Sequence, residues 1–298
     1  MEQLCRHLAS IGIDCVTNDP LAKRTTMRVG GSASVSCFPR TREQMIAVLD
    51  EVRRRRLRHV IIGNGSNVIF SDAGFCGVVI CTDKWRELSV GDNRITASAG
   101  VPLVSVATVA RDLSLTGLEF AYGIPGTVGG AVFMNAGAFG ASVSDICVSS
   151  EYYDLQTGQI GRFEGDEQEF IYRSSIYAKE PRYAILGATL ELKAGERQQI
   201  EGRMEEYLTR RKNTQPLEYP SAGSVFKRPE GHFAGKLIED CALKGTRIGG
   251  AEVSEKHAGF IVNRGGASAE DIHALVELVR DRVQRETGVL LECEIRFV

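Results

Sequence analysis

Glycine is the residue type that points most directly to a chemistry in this chain. The stretch GLEFAYGIPGTVGGAVFMNAGAFG, residues 117–140, carries a single formal charge, at Glu119. Glycines let backbone amides approach a bound group and adopt positive φ angles, so this stretch suits a phosphorylated or planar ligand. Ala121, Ile124, Val128, Val132, Phe133 and Met134 are interleaved with the glycines, so the segment must pack as well as bend. A second run, Gly63-Asn64-Gly65-Ser66-Asn67, lies between apolar segments predicted as strands over 59–62 and 68–70. Strand, glycine loop, strand can cradle a phosphate, because successive amides in such a turn converge on an anion. No GK[ST] follows it and no GxGxxG opens a helix, so it is neither a Walker loop nor a dinucleotide fingerprint. Alone, it reads equally well as a β-turn.

Three polar residues could act on what those loops hold, and each has an ordinary reading beside the chemical one. Arg173 follows Tyr172 and an acidic connector, Glu164 to Glu169. A guanidinium meets a carboxylate in two-point geometry and stays charged, but it also makes plain surface ion pairs with such a connector. Ser224, in Ala222-Gly223-Ser224-Val225-Phe226-Lys227, reads equally as a turn serine. Glu292 and Glu294 share one face of a C-terminal segment whose other face carries Leu291, Cys293, Ile295 and Phe297. Alternation alone makes that polar face the solvent side of an edge strand.

The elements that must position these groups follow from periodicity. Leu4, Leu8 and Ile11 predict an opening helix, and Thr41 caps a second whose stripe is Met45, Ile46, Leu49 and Val52. Its end, Arg53 to Arg56, complements the helix dipole and reads as a solvated terminus. Strands are predicted over 33–38, 75–81, 94–98 and 183–192, a helix over 101–115, and a hairpin of 147–155 with 159–163 across Thr157-Gly158. Gly195 marks a boundary, followed by a packing helix with Ile200, Met204 and Leu208. The last third alternates a helix over 232–241, a strand over 258–262, a long helix capped by Ser268 and stopped by Gly288, and a strand over 291–297.

Composition narrows the partner. The 298 residues are 43% apolar, enough for two or three compact units, and 36 basic against 38 acidic side chains leave a formal charge of -2. That balance gives no general attraction to nucleic acid or an anionic membrane, which favours a small-molecule partner. Eight cysteines without a CxxC pair and without a preceding apolar signal fit reduced thiols in the cytoplasm. The five histidines are dispersed, so no metal site is expected, and no apolar run is long enough to span a bilayer.

Taken together, seven segments resemble the UDP-N-acetylenolpyruvoylglucosamine reductase family. They are TTMRVGGSA (25–33), IIGNGSNVIF (61–70), residues 117–140, YRSSIY (172–177), SAGSVFKRP (221–229), KGTRIGGAEVSEKHAGFIVN (244–263) and LECEIRF (291–297), in the family's order. The chain is similar to the compact type, which lacks an extra tyrosine-bearing loop. The resemblance implies an α+β fold: an FAD-binding domain of the vanillyl-alcohol-oxidase/PCMH type in two lobes, plus a C-terminal α+β substrate-binding domain. Its expected divisions are 1–80 joined by 290–298, then 81–195, then 196–289.

The same resemblance implies non-covalent FAD, NADPH as hydride donor and the enolpyruvyl nucleotide sugar as substrate, handled by a monomer. It assigns the FAD pyrophosphate to Gly63, Asn64, Gly65, Ser66 and Asn67, and to Gly123, Ile124, Pro125, Gly126, Thr127, Gly129 and Gly130. Arg173 becomes the cation for the substrate carboxylate, Ser224 the proton donor, and Glu294 the acid that stabilises or relays to the intermediate. Asn135, Tyr172, Lys227 and His257 become substrate contacts. Two alternatives stay open at this point: a flavin carrier without turnover, and an oxidase with covalently tethered flavin.

Overall fold

The computed structural model describes residues 1–298, which form two compact units interleaved along the chain. The first comprises Met1–Thr17, Ser34–Asn64 and Cys76–Arg210; the second comprises Asn18–Ala33, Gly65–Phe75 and Arg211–Val298. Two short excursions, near residues 18–33 and 65–75, therefore leave the first unit to complete the second.

In the first unit, the helix Arg42–Arg54 begins where the Thr41 hydroxyl accepts a hydrogen bond from Gln44 N at 3.3 Å. Met45, Val48, Leu49 and Val52 are buried, so Val48 joins the predicted stripe and Ile46 packs partly buried beside it. The arginine run is a solvent-facing end as expected, with Arg54, Arg55 and Arg56 exposed, though Arg53 and Arg55 find partners. Arg55 Nε donates to Glu51 at 2.6 Å, and Arg53 Nε donates to the Tyr153 hydroxyl at 3.0 Å. The strand His59–Ile62 runs parallel to Phe75–Cys81, with His59 opposite Val78. Ser32–Phe38 and Asp14–Pro20 extend that sheet to four strands.

A second sheet of this unit holds five antiparallel strands in the order Ile160–Glu164, Cys147–Asp154, Tyr183–Glu191, Arg94–Ser98 and Leu88–Gly91. The predicted hairpin is its edge pair, with Tyr153 opposite Ile160 and Gly158 at φ 77° in the turn. Helices Leu103–Asp112 and Val128–Phe133 pack on this sheet. The first replaces the longer helix predicted over 101–115, because Pro102 starts it. The second was not expected inside the glycine stretch; Thr127 nucleates it as N-cap.

The second unit is built on four antiparallel strands in the order Ser221–Ser224, Phe260–Asn263, Ala251–Val253 and Arg247–Ile248. The helix Ala269–Thr287 buries Ile272, Leu275, Val276, Val279 and Val283 against a core that includes Met27, Ile69 and Leu291. Ser268 caps it, with its hydroxyl accepting Asp271 N at 3.0 Å, and Gly288 ends it at φ 76°. Asp72 accepts Ala269 N and Glu270 N at 2.9 and 3.0 Å, a carboxylate at the positive end of the helix dipole.

The predicted C-terminal strand is shorter than its alternation suggests. Only Arg296–Phe297 pairs as a strand, parallel to Val68–Ile69, while Cys293 makes an isolated bridge to Phe226. The segment changes partners midway, so no single ladder runs its length. Leu291 and Ile295 are buried as expected, but Phe297 is exposed. Ser221–Ser224, read from its glycine and serine as a turn, is a strand with a bulge. No helix is long and apolar enough to cross a membrane, and all eight cysteines are free thiols.

Candidate active site

In the first unit the two glycine loops meet directly. Gly63 ends the strand His59–Ile62, and a Cβ there would fall 2.2 Å from Thr127 Oγ1, so only glycine lets the loops close. Asn64 Nδ2 donates to Pro125 O at 2.9 Å. The stretch 123–130 is anchored behind by Leu103 N to Gly126 O, Val128 N to Val101 O and Gly129 N to Ala99 O, all within 2.9 to 3.0 Å. Gly129 is glycine for packing, because a Cβ would press within 2.8 Å of Ala99 Cβ. Gly130 differs: a Cβ there would meet nothing nearer than Thr127 Oγ1 at 3.8 Å. Ile124 N is used by Ala121 O, whereas the amides of Asn64, Gly123, Gly126 and Thr127 donate to no group of the chain.

The second unit carries the rest of the first loop. Gly65 sits at φ 59°, where a Cβ would lie 2.1 Å from Arg24 O. Its carbonyl accepts Thr26 N at 3.2 Å, and Thr26 Oγ1 donates to Ser221 O at 2.6 Å. Thr26 thus ties the loop to the strand that ends in Ser224. The TTMRVGG motif marked this segment without showing that role. The amides of Gly65, Ser66 and Asn67 also donate to no group of the chain. Unsatisfied donors presented by glycine-rich backbone are what a diphosphate requires, so in both units the residues present fit FAD.

Arg173 stands at the tip of a tight turn. Ile171 N and Ser174 N each donate to the other's carbonyl, at 3.1 and 3.2 Å, which leaves Tyr172 and Arg173 projecting. Arg173 adopts φ 54°, a conformation that costs a non-glycine residue of order 1 kcal/mol and persists where the surroundings impose it. Its Nη2 donates to Gly137 O at 3.0 Å, and its guanidinium lies 5.2 Å from the Tyr172 ring centroid. Tyr172 is half exposed. Asn135 is buried beneath the turn: its Nδ2 donates to Ile171 O at 3.1 Å, and its Oδ1 accepts Ser144 N at 2.9 Å. Ser175, fully buried, donates to Phe133 O at 2.9 Å. Both side chains hold the turn in place.

Ser224 and Glu294 come together in the second unit through backbone contacts. Ser224 lies opposite Phe260, and a bulge before it puts Gly223 at φ 80° with open space around its Cβ position. Val225 N donates to Gly259 O at 2.9 Å, while Val225 O accepts Glu294 N at 2.7 Å. Asn67 clasps the same segment from beyond, with Nδ2 donating to Glu294 O at 3.1 Å and its carbonyl accepting Arg296 N at 3.0 Å. The Ser224 hydroxyl donates to Phe226 O at 3.3 Å.

His257 lies alongside. Its Nδ1 accepts Gly259 N at 3.1 Å, and a Cβ on Gly259 would sit 3.0 Å from His257 Cε1 and 3.5 Å from Ser224 Oγ. Burial pushes the imidazole pKa down, so it stays neutral with its remaining proton on Nε2. Lys227 pairs with Glu292 at 3.4 Å, an exposed ion pair worth little by itself. The two glutamates are thereby told apart: Glu292 meets a surface lysine, and Glu294 is gripped beside Ser224.

Comparison with known proteins gives the family. Residues 33–164 match the model of an FAD binding domain, and residues 215–298 match that of the UDP-N-acetylenolpyruvoylglucosamine reductase C-terminal domain. The chain is 45% identical over 284 residues to the UDP-N-acetylenolpyruvoylglucosamine reductase of Clostridium novyi, covering 95% of this chain and 92% of that one. The crystal structure of the corresponding enzyme from Thermus caldophilus superposes with a TM-score of 0.79 at 34% identity, covering 96% and 98% of the two chains. An alkyldihydroxyacetonephosphate synthase shares the fold alone, at 13% identity and a TM-score of 0.50 over 65% of this chain. By sequence along nearly its whole length and by fold, this chain belongs to the UDP-N-acetylenolpyruvoylglucosamine reductases, FAD-dependent oxidoreductases of α+β fold.

Proposed function

We propose that this chain reduces the enolpyruvyl group of UDP-N-acetylenolpyruvoylglucosamine to give UDP-N-acetylmuramate, with NADPH as hydride donor. The observation that carries the reading is the likeness to such reductases over nearly the full length of both chains. When bound, FAD supplies the hydride chemistry, accepting hydride from NADPH and delivering it to the enolpyruvyl double bond. The loops 63–67 and 123–130 hold its pyrophosphate through their unpaired amides. In this reading residues 1–80 with 290–298, and 81–195, are the cofactor lobes, and 196–289 is the substrate domain.

Hydride addition to one alkene carbon drives charge onto its neighbour and into the carboxylate. The chain must meet that charge and supply a proton. Arg173, held in its imposed backbone conformation by the Gly137 carbonyl, faces the carboxylate as a permanent cation. Ser224 donates the proton, and Glu294, one backbone hydrogen bond from Val225, stabilises or relays to the intermediate. Lys227 and Tyr172 contact the nucleotide sugar, and His257 offers a neutral Nε2–H. Asn135 contributes by holding the turn of Tyr172 and Arg173.

Anaerobic addition of NADPH to the yellow protein tests the reading. Bleaching followed by reoxidation on adding the UDP-sugar supports a reductase; a colour that NADPH leaves unchanged points to a carrier. Acid precipitation should release the colour into solution, and colour retained in the pellet would point to a tethered flavin.

A further inference from the structure

The first unit holds a group of thiols that the proposed reaction does not use. Cys15 lies on the strand Asp14–Pro20 and Cys37 on its neighbour Ser32–Phe38, with their sulfurs 3.5 Å apart. Cys5, on the opening helix, is raised in pKa by burial first and by neighbouring Cys15 second. Exposure differs between them: Cys37 is fully buried, whereas Cys15 and Cys5 are only partly covered. Asp14–Pro20 is the edge strand of its sheet, so a small solute reaches Cys15 before Cys37.

The electrostatics have the same asymmetry. Contact with the Cys37 thiol lowers the Cys15 pKa against the opposing effect of burial. That same contact, reinforced by burial, raises Cys37 and keeps it protonated. A partly exposed thiol of lowered pKa in sulfur contact with a buried thiol is the arrangement of an attacking and a resolving cysteine.

We propose that Cys15 and Cys37 form a hydroperoxide-sensitive pair, in which Cys15 is the attacking sulfur and Cys37 closes an intramolecular disulfide. The Cys15 thiolate attacks one oxygen of the hydroperoxide and the O–O bond breaks. The leaving alkoxide, or hydroxide for hydrogen peroxide, takes up a proton, and Cys15 is oxidised to a sulfenic acid. Cys37 sulfur then attacks Cys15 sulfur; the S–O bond breaks, and hydroxide leaves as water with the Cys37 proton. In sum, two thiols and one hydroperoxide give a disulfide, one water and one alcohol or second water. The sulfurs need only close from 3.5 Å to a bond length of about 2.05 Å. Cys76, exposed on the strand Phe75–Cys81, serves as an internal control for unassisted thiol oxidation.

The test treats the flavin-loaded full chain with graded hydrogen peroxide, blocks remaining thiols by alkylation and maps the peptides by mass spectrometry. The expected result is a Cys15–Cys37 linked peptide, two hydrogens lighter and restored by dithiothreitol, forming at lower peroxide than any oxidation of Cys76. Cys15→Ser should abolish the link and slow first-site oxidation about tenfold. Cys37→Ala should instead leave Cys15 as a sulfenic acid trapped by dimedone, or linked to Cys5. Oxidation of Cys76 ahead of Cys15, or sulfinic acid at Cys15 in the unsubstituted chain without a linked peptide, would overturn the proposal. The map of the unsubstituted chain decides this even if a variant folds poorly.

Discussion

The turn at 171–174 and the junction of Ser224 with Glu294 carry the proposed reacting side chains, yet they are held by different means. Side chains hold the turn: Asn135 grips Ile171, Ser175 grips Phe133, and Arg173 itself donates to Gly137. Backbone atoms hold most of the junction, through Val225 to Gly259, Glu294 to Val225 and Arg296 to Asn67. A frame built from backbone survives replacement of the side chain it presents, whereas one built from side chains moves with them. Substitutions at the junction should therefore report chemistry, and substitutions around the turn should report position and stability as well.

The largest separation should come from Ser224→Ala. Reduction of the flavin by NADPH should persist while reduction of the enolpyruvyl substrate falls about a hundredfold or more, with unchanged thermal unfolding. Rapid-mixing measurement of each half-reaction checks this, and equal loss of both would contradict a proton-donor role. Glu294→Gln should follow the same pattern, because the hydrogen bond from Glu294 N to Val225 O is kept in the variant. Glu292→Gln, which disturbs only the exposed pair with Lys227, should leave both half-reactions nearly unchanged. If those two outcomes are exchanged, the junction has been read in the wrong register.

At the turn, Asn135→Ala should blur the distinction between chemistry and position. It strips partners from Ile171 O and Ser144 N, at a cost of about 1–3 kcal/mol in stability, read by denaturant unfolding. Substrate reduction should weaken with it through a less ordered Arg173. A stable variant with full activity would show that the backbone holds this turn too.

A modest effect on stability is expected at His257, whose imidazole pKa is lowered by burial from 6.5. Below its unfolded value the denatured chain binds a proton that the native chain resists. Native stability should therefore rise with pH through the interval just below 6.5 and level off above it. His257→Gln should flatten that part of the profile, as measured by urea unfolding at a series of pH values.

Features set by neighbouring residues were legible in the chain. Thr41, Ser268 and Gly288 delimit their helices, and Thr157-Gly158 turns its hairpin, because capping and turn formation involve atoms a few residues apart. The glycine loops stood out in the sequence, but their glycines looked alike. The tertiary structure separates Gly63 and Gly129, which allow close packing, from Gly130, where a Cβ would make only an ordinary contact with Thr127, and Gly223, which faces open space. Alternation over 291–297 suggested one strand, and only the fold showed the segment passing from Phe226 to Val68.

The sequence alone determined the family, the helix ends and the residue types available for chemistry, since motif order and local hydrogen bonding are written in adjacent residues. Only the tertiary structure decided that Asn135 supports the Arg173 turn, that Thr26 and Asn67 lock the loop beside Ser224 and Glu294, and that Cys15 touches Cys37. Those contacts join residues remote in the chain, and the packing that brings them within hydrogen-bonding distance is a property of the whole core rather than of any local pattern.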